Sequence, residues 1–222
     1  KLVSLMDSKN FFQKKNFKIK DLFPQSSLKS TKNFEKIRPL NNASTKDLSF
    51  FDSQKYAKEA SKTRALYCIT TKELEKFLPK KTQKIIVKNV LFELARILKK
   101  IYPSADIDYP DLSLKAPVKK KFKSVKFGNN VLIGKNVKIG NKCVIGANTI
   151  IEHNVIIGKN CIIGSGVIIK NSIIGDRVVL QDNCSIGQKG FGFIPFKNKN
   201  IKFPHIGKVI IEDDVEIASG CT

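Results

Sequence analysis

From Val125 to Ile169 the apolar positions fall on a six-residue beat. With Val125, Val131, Val137, Cys143, Thr149, Val155, Cys161 and Val167 as first positions, the third position is Ile in seven of eight units, with Phe127 the exception, and the fourth is Gly in six. An amphipathic helix spaces its apolar residues by 3 and 4 and a half-buried strand by 2, so neither accounts for a period of six. A coil of short strands does. Each unit is one flat face, three faces close a triangular turn, the small or β-branched first position points inward, and Gly permits the corner. Turns stacked at about 4.8 Å bond backbone to backbone, and the Ile and Val columns form one continuous core.

The beat then breaks twice. One residue is missing at Lys170–Ser172, which tightens a corner, after which Val178, Cys184 and later Val209, Val215 and Cys221 restore the period. The larger break is Gln188–His205, QKGFGFIPFKNKNIKFPH, with two glycines, two prolines and five basic residues counting His205. Loops carried on a rigid scaffold commonly hold binding groups. Gly190, Phe191, Gly192 and Phe193 are therefore candidates for a binding site. The expected repeat domain is 125–222, interrupted at 188–205.

Ahead of the coil the pattern changes. Residues 1–39 are polar and Lys-rich, a poorly defined segment with one apolar stretch near Ile19–Phe23. Ala65–Thr70 reads as a buried strand. Thr70 and Glu73 have capping-box spacing for a helix Thr71–Leu78 stopped by Pro79. Ile85–Val87 is a second strand, and Val90, Leu91, Leu94, Ile97, Leu98 and Ile101 follow helical spacing up to Pro103. Strand, helix, strand, helix over 40–103 is a small α/β domain. Residues 104–124 contain two prolines and the run Lys119-Lys120-Lys121, and they read as a linker.

Charge sharpens this division. The chain has 41 basic and 19 acidic side chains, net +22. From Val125 onward there are 12 basic and 7 acidic residues, so +17 of the excess lies in residues 1–124. Lys, Asn and Ile are frequent throughout, as AT-rich codon usage favours, and most lysines of this kind are simply solvated. Five cysteines without a CxxC pair indicate neither a zinc knuckle nor a disulfide scaffold. Cys143, Cys161, Cys184 and Cys221 fall at inward positions of the coil, where Cys is a small apolar filler. Cys143 and Cys161, one turn apart, are expected to stack without a bridge. No stretch reads as a membrane span or signal peptide, which points to a soluble, cytoplasmic protein. The chain opens at Lys1 with Met6 a plausible start, and it stops at Thr222 inside a repeat unit, as a fragment would.

A small α/β domain, hexapeptide repeats, IG-x-x-GFGF, a Pro-containing loop and HIGKVIIEDDVEIASGCT over 205–222 together resemble the UDP-3-O-acylglucosamine N-acyltransferases of lipid A synthesis. The similarity runs from about Leu40 to Thr222. It implies a left-handed β-helix, a homotrimer with active sites between subunits, and a front domain that holds the uridine of a UDP-3-O-acyl-glucosamine. It also implies an acyl donor carried as a thioester on acyl carrier protein, with no further cofactor or metal. LSFFDSQKY at 48–56 is similar to the family's uridine-binding segment: Phe50 and Tyr56 match the two aromatics that flank uracil, and Ser53 stands where the family has Asn. A hydroxyl supplies one of the hydrogen bonds of that Asn, not both. The family's general base is a His in an Ala-His-Asn-Val context after the Gly-Phe-Gly loop. Glu152-His153-Asn154-Val155 resembles that context but precedes the loop, so His153 reads as a corner residue. His205 stands where the family carries out no proton transfer. The resemblance therefore assigns no catalytic residue within the chain and places the expected His beyond Thr222, so the fragment is expected to be inactive.

Other readings use the same features. A sugar acyltransferase using acyl-CoA would keep the coil and dispense with the uridine segment. A non-catalytic basic platform would bind nucleic acid or an acidic membrane surface through residues 1–124, but no nucleic-acid module is present, and nucleic acid is not expected as a partner. A γ-class carbonic anhydrase needs three zinc-binding His, and the chain has two. The basic balance suits acyl carrier protein or peripheral contact with a phospholipid surface, both acidic.

Overall fold

Three short parallel strands, β1 (Leu48–Phe51), β2 (Tyr67–Thr70) and β3 (Gln83–Ile86), form the sheet of the front domain in the order β1-β2-β3. Their registers align Leu48 with Tyr67 and Tyr67 with Gln83. The structure is a computed structural model that describes residues 11–24, 26, 28, 32–196 and 199–222. Met6 lies outside them. The apolar stretch near the start forms a helical turn, α1 (Ile19–Leu22), with Ile19 and Leu22 fully buried. A second short helix, α2 (Ala57–Lys62), follows β1.

The long helix α3 (Val90–Ile101) begins where Asn89 Oδ1 accepts a hydrogen bond from the Phe92 amide at 2.9 Å. Its 3- and 4-residue spacing buries Val90, Leu94, Ala95, Ile97, Leu98 and Ile101, and it packs on β1 and β2. The helix expected over Thr71–Leu78 does not form. Thr70 closes β2, paired with Ile86, and its hydroxyl is buried without a hydrogen-bond partner, so it caps no helix. Between it and Pro79 only a turn and the 3₁₀ segment Glu75–Phe77 fit.

The coil has three ladders of parallel strands, the left-handed β-helix that the repeat and the resemblance together implied. One stacks Lys126, Val144, Ile162, Val179 and Glu216. The second stacks Leu132, Ile150, Ile168 and Ser185, and the third Lys138, Ile156, Ile173 and Ile210. Third-position residues such as Ile145, Ile151, Ile163 and Ile169 alternate with these and fill the interior together with Val137, Val155 and Val167. At the shortened corner Ser172 takes the inward place, fully buried, and its hydroxyl donates to the Lys170 carbonyl.

Corner chemistry explains a composition that codon usage seemed to cover. Asn130, Asn136, Asn148, Asn154 and Asn160 all adopt φ between 56° and 63°, a left-handed conformation that Asn tolerates better than most residues. Their amides ladder from turn to turn, Asn130 to Asn148 and Asn136 to Asn154, each at 3.2 Å. The fourth-position glycines face the next turn directly: a Cβ added at Gly146 would lie 2.5 Å from Gly164 C and Ser165 N. Cys143, Cys161 and Cys184 are buried free thiols, and the Cys161 amide lies 3.4 Å from Cys143 Sγ, stacked as expected. Cys221 is the exception: it is exposed on the last described turn.

Among the described residues, 107–191 and 205–222 form one compact unit with residues 11–13, and residues 14–106 form another with 192–204. The stretch read as a linker is therefore partly a strap on the coil. Lys115 and Ile133 exchange backbone hydrogen bonds of 3.1 and 2.8 Å. Residues 192–204 form an antiparallel hairpin, Phe193–Phe196 against Lys199–Lys202.

Candidate functional site

The end of β1 sorts two adjacent aromatics. Alternation along the strand sends Phe51 into the core with Leu40, Ala60, Cys68 and Leu78, edge-on to Phe77 at 6.2 Å. Phe50, on the opposite face, stays half-buried. The chain then turns through the 3₁₀ segment Gln54–Tyr56, capped by Ser53, whose Oγ accepts from the Lys55 amide at 3.4 Å. Tyr56 remains 45% exposed, with the Lys55 ammonium 5.9 Å from its ring centre. An accessible ring, a cation and a hydroxyl are thus gathered on one short turn. The core beneath holds Cys68, whose thiol is pushed up to about 12 by burial, which makes it a filler and not a nucleophile.

The Gly-Phe-Gly-Phe loop is divided. Gly190 lies against the His205 ring: an added Cβ would be 2.7 Å from Cε1, so a side chain there would have to displace the imidazole. Phe191 is 89% exposed, and Phe193 opens the hairpin.

His153 is held at the coil corner. Its amide donates to Asp111 Oδ2 at 2.7 Å, its Nδ1 lies 3.2 Å from the same oxygen, and Nε2 lies 3.3 Å from the Phe11 carbonyl. Burial alone would raise the Asp111 carboxyl, but hydrogen bonds from the Ser113 hydroxyl and amide and from His153 hold it below the usual carboxylate range. Beside it stands a cluster that the sequence reading missed. Glu152 and Lys170 are the two fourth positions without Gly, one turn apart, and Lys170 Nζ lies 3.1 Å from both Glu152 Oε1 and Asp108 Oδ2. Burial raises the Glu152 carboxyl, and Lys170 only partly offsets it. The shared 18-residue spacing of these two exceptions was the available signal. Asp108 and Asp111 fasten the strap to the coil through Lys170 and His153, while Glu152 and Lys170 join two successive turns. Among the described residues no three His, Cys, Asp or Glu side chains gather as a metal site would require.

Comparison with known proteins follows the same division of the chain. Residues 33–100 match the family described as UDP-3-O-(3-hydroxymyristoyl) glucosamine N-acyltransferase, LpxD. Residues 124–157 and 136–171 match the bacterial transferase hexapeptide, six repeats. UDP-3-O-acylglucosamine N-acyltransferase 2 of Rhodopseudomonas palustris (strain BisB18) is 52% identical over 46 residues, 21% of this chain and 12% of that protein. The UDP-3-O-acylglucosamine N-acyltransferase of Azorhizobium caulinodans is 44% identical over 48 residues, 22% of this chain and 13% of its own length. That of Leptospira biflexa is 44% identical over 48 residues, 22% of this chain and 14% of its own length. These matches therefore span 12 to 14% of the relatives' length. The front-domain match stands ahead of the hexapeptide match, and with relatives of one description the chain is similar to UDP-3-O-acylglucosamine N-acyltransferases over these segments.

Proposed function

We propose that the whole protein moves a 3-hydroxyacyl chain from the thioester of acyl carrier protein to the amine of a UDP-3-O-acyl-glucosamine, in the cytoplasm, as a step of lipid A synthesis. The observation that carries this reading is the family match over 33–100, which contains the 48–56 turn with Tyr56 accessible while its neighbour Phe51 is buried. Phe50 and Tyr56 flank the uracil, and the Ser53 hydroxyl donates a hydrogen bond to a uracil carbonyl. In the transfer, the sugar nitrogen attacks the thioester carbonyl carbon. The C–N bond forms, the C–S bond breaks and the sulfur leaves as a thiol, while the nitrogen gives its proton to a general base. His153 does not supply that base, since its ring is occupied by Asp111 and the Phe11 carbonyl. The base is proposed to be the histidine that the family carries after the Gly-Phe-Gly loop of its coil. The acidic carrier protein suits a chain of net +22. The Gly190–Phe193 loop is proposed to border the acceptor or acyl site.

UDP titrated into the protein tests the acceptor half of the reading. Stacking on one aromatic contributes about 1–3 kcal/mol, so Tyr56→Ala is expected to weaken UDP binding by about 5- to 150-fold. An unchanged Kd would remove the uridine assignment, and loss of thioester consumption with this acceptor would remove the reaction.

The family's trimer is proposed for this chain as well, on the outward column of one ladder. Val144 and Ile162 stand one above the other, 44% and 52% exposed, with Val179 next. Ile162→Glu would bury a charge in that contact, and sedimentation is expected to show the trimer replaced by monomer. A trimer of unchanged stability in the variant would place the subunit contact elsewhere.

A further inference from the structure

A groove of about 560 Å³ lies in the front unit between α3 and the hairpin strand Lys199–Lys202. Its floor is apolar, made by Phe92, Ala95 and Ile201. Its walls are cationic. Arg96, Lys99 and Lys100 follow one another at helical spacing on one side, and the strand Lys199–Lys202 lines the other, where alternation puts Lys199 on the same face as Ile201. Among the described residues two of these cations are paired with a carboxylate: Lys99 lies 2.6 Å from the buried Asp106, and Arg96 lies 2.6 Å from Glu93. Lys100, Lys199 and Lys202 make no ion pair with any described residue. This collects part of the chain's charge excess in a concavity, where the flanking protein raises the potential above that of lysines on a convex surface.

We infer that this groove is an anion site for a small amphiphile with a phosphate head and an apolar body. The floor and the walls each select one part of that chemistry. Phosphate takes the point charges of Lys100 and Lys199, with Lys202 adding to the local positive potential, and the apolar body covers Phe92 and Ile201, which water otherwise wets. The volume falls within the ~300–1,000 Å³ of ordinary small-molecule sites. A flat bilayer meets a convex face, and a single ring at Phe92 offers no stacking platform for successive bases, so neither a membrane surface nor a nucleic acid fits as well. The inference does not rest on the acyltransferase reading, because the groove shares no residue with the Phe50, Ser53 and Tyr56 turn.

The test is a calorimetric titration of the full chain with octyl phosphate below its micelle concentration, at low salt. The expected result is a saturable one-to-one isotherm that weakens as salt rises. Lys199→Glu with Lys202→Glu is expected to weaken binding at least tenfold while UDP binding stays unchanged. Lys100→Glu, on the helix wall, repeats the test if the hairpin variant fails to fold. Octyl glucoside, with the same tail and a neutral head, is expected to give no heat of binding, and inorganic phosphate to bind at least tenfold more weakly. The inference is overturned if octyl glucoside matches octyl phosphate, if inorganic phosphate binds equally well, or if charge reversal leaves the isotherm unchanged. It is equally overturned if phosphatidate vesicles bind through these lysines while monomeric octyl phosphate does not.

Discussion

Gly146→Ala is expected to destabilise the coil by about 3 kcal/mol or more, at the upper end of what overpacking costs. A methyl group at Gly146 would come within 2.5 Å of Gly164 C and Ser165 N, which are backbone atoms of the next turn. They cannot retreat cheaply, because the Gly146 amide donates to the Ile163 carbonyl at 2.7 Å and ties the two turns together. Gly207 is the internal control. Nothing lies within 4 Å of a Cβ added there, so Gly207→Ala should change stability by less than about 0.5 kcal/mol. At about 2–4 °C per kcal/mol for a chain of this size, the two melting temperatures should separate by roughly 6–12 °C. Equal melting temperatures would mean that fourth-position Gly is tolerated and not required, and the steric account of the repeat would go with it.

The coil was legible because each turn reuses the same residue types at the same six places, so a local pattern carries a long-range contact. Even the missing residue before Ser172 could be read, since the beat resumes out of phase. Where contacts are long-range but not periodic, the sequence showed little. The strap is fastened by Asp111 to His153 and by Lys115 to Ile133, pairs with no common spacing, and its prolines and lysines looked like a linker. The Thr70–Glu73 box misled for the opposite reason. A correct local signal was lost because β2 turns the Thr70 hydroxyl into the interior, where it cannot reach the amides that follow. Composition also misled: the corner asparagines owe their abundance at least in part to the left-handed turns they occupy. The 48–56 turn was found by resemblance alone. No pattern within FF announces that Phe51 enters the core while Phe50 stays half-buried, and only the direction of β1 decides it.

Lys170→Met is expected to cost about 3–5 kcal/mol at neutral pH, the range for removing one partner of a buried ion pair. The Lys170 and Glu152 side chains are 14% and 11% exposed, so solvent cannot replace what the ammonium provides. Burial alone would lower the Lys170 pKa, yet its hydrogen bonds to Asp108 and Glu152 outweigh that and hold it above the ordinary lysine value. The pH dependence separates electrostatics from lost packing. Glu152 already has a folded-state pKa above its unfolded one, chiefly through burial, and without Lys170 it rises further. A carboxyl raised on folding contributes stability below its unfolded pKa and loses that contribution as pH rises through the folded value. The difference between Lys170→Met and the unaltered chain should therefore be full at pH 7 and shrink toward about 4.3, the ordinary glutamate value. Denaturant unfolding at both pH values measures it. Replacing Glu152 and Lys170 together by Gly should recover most of the loss, since it restores the residue that the other corners carry and leaves Asp108 partly solvated. If the gap stays constant with pH, Lys170 acts through its methylene packing, and the two exceptions to the repeat are not a charge pair joining two successive turns.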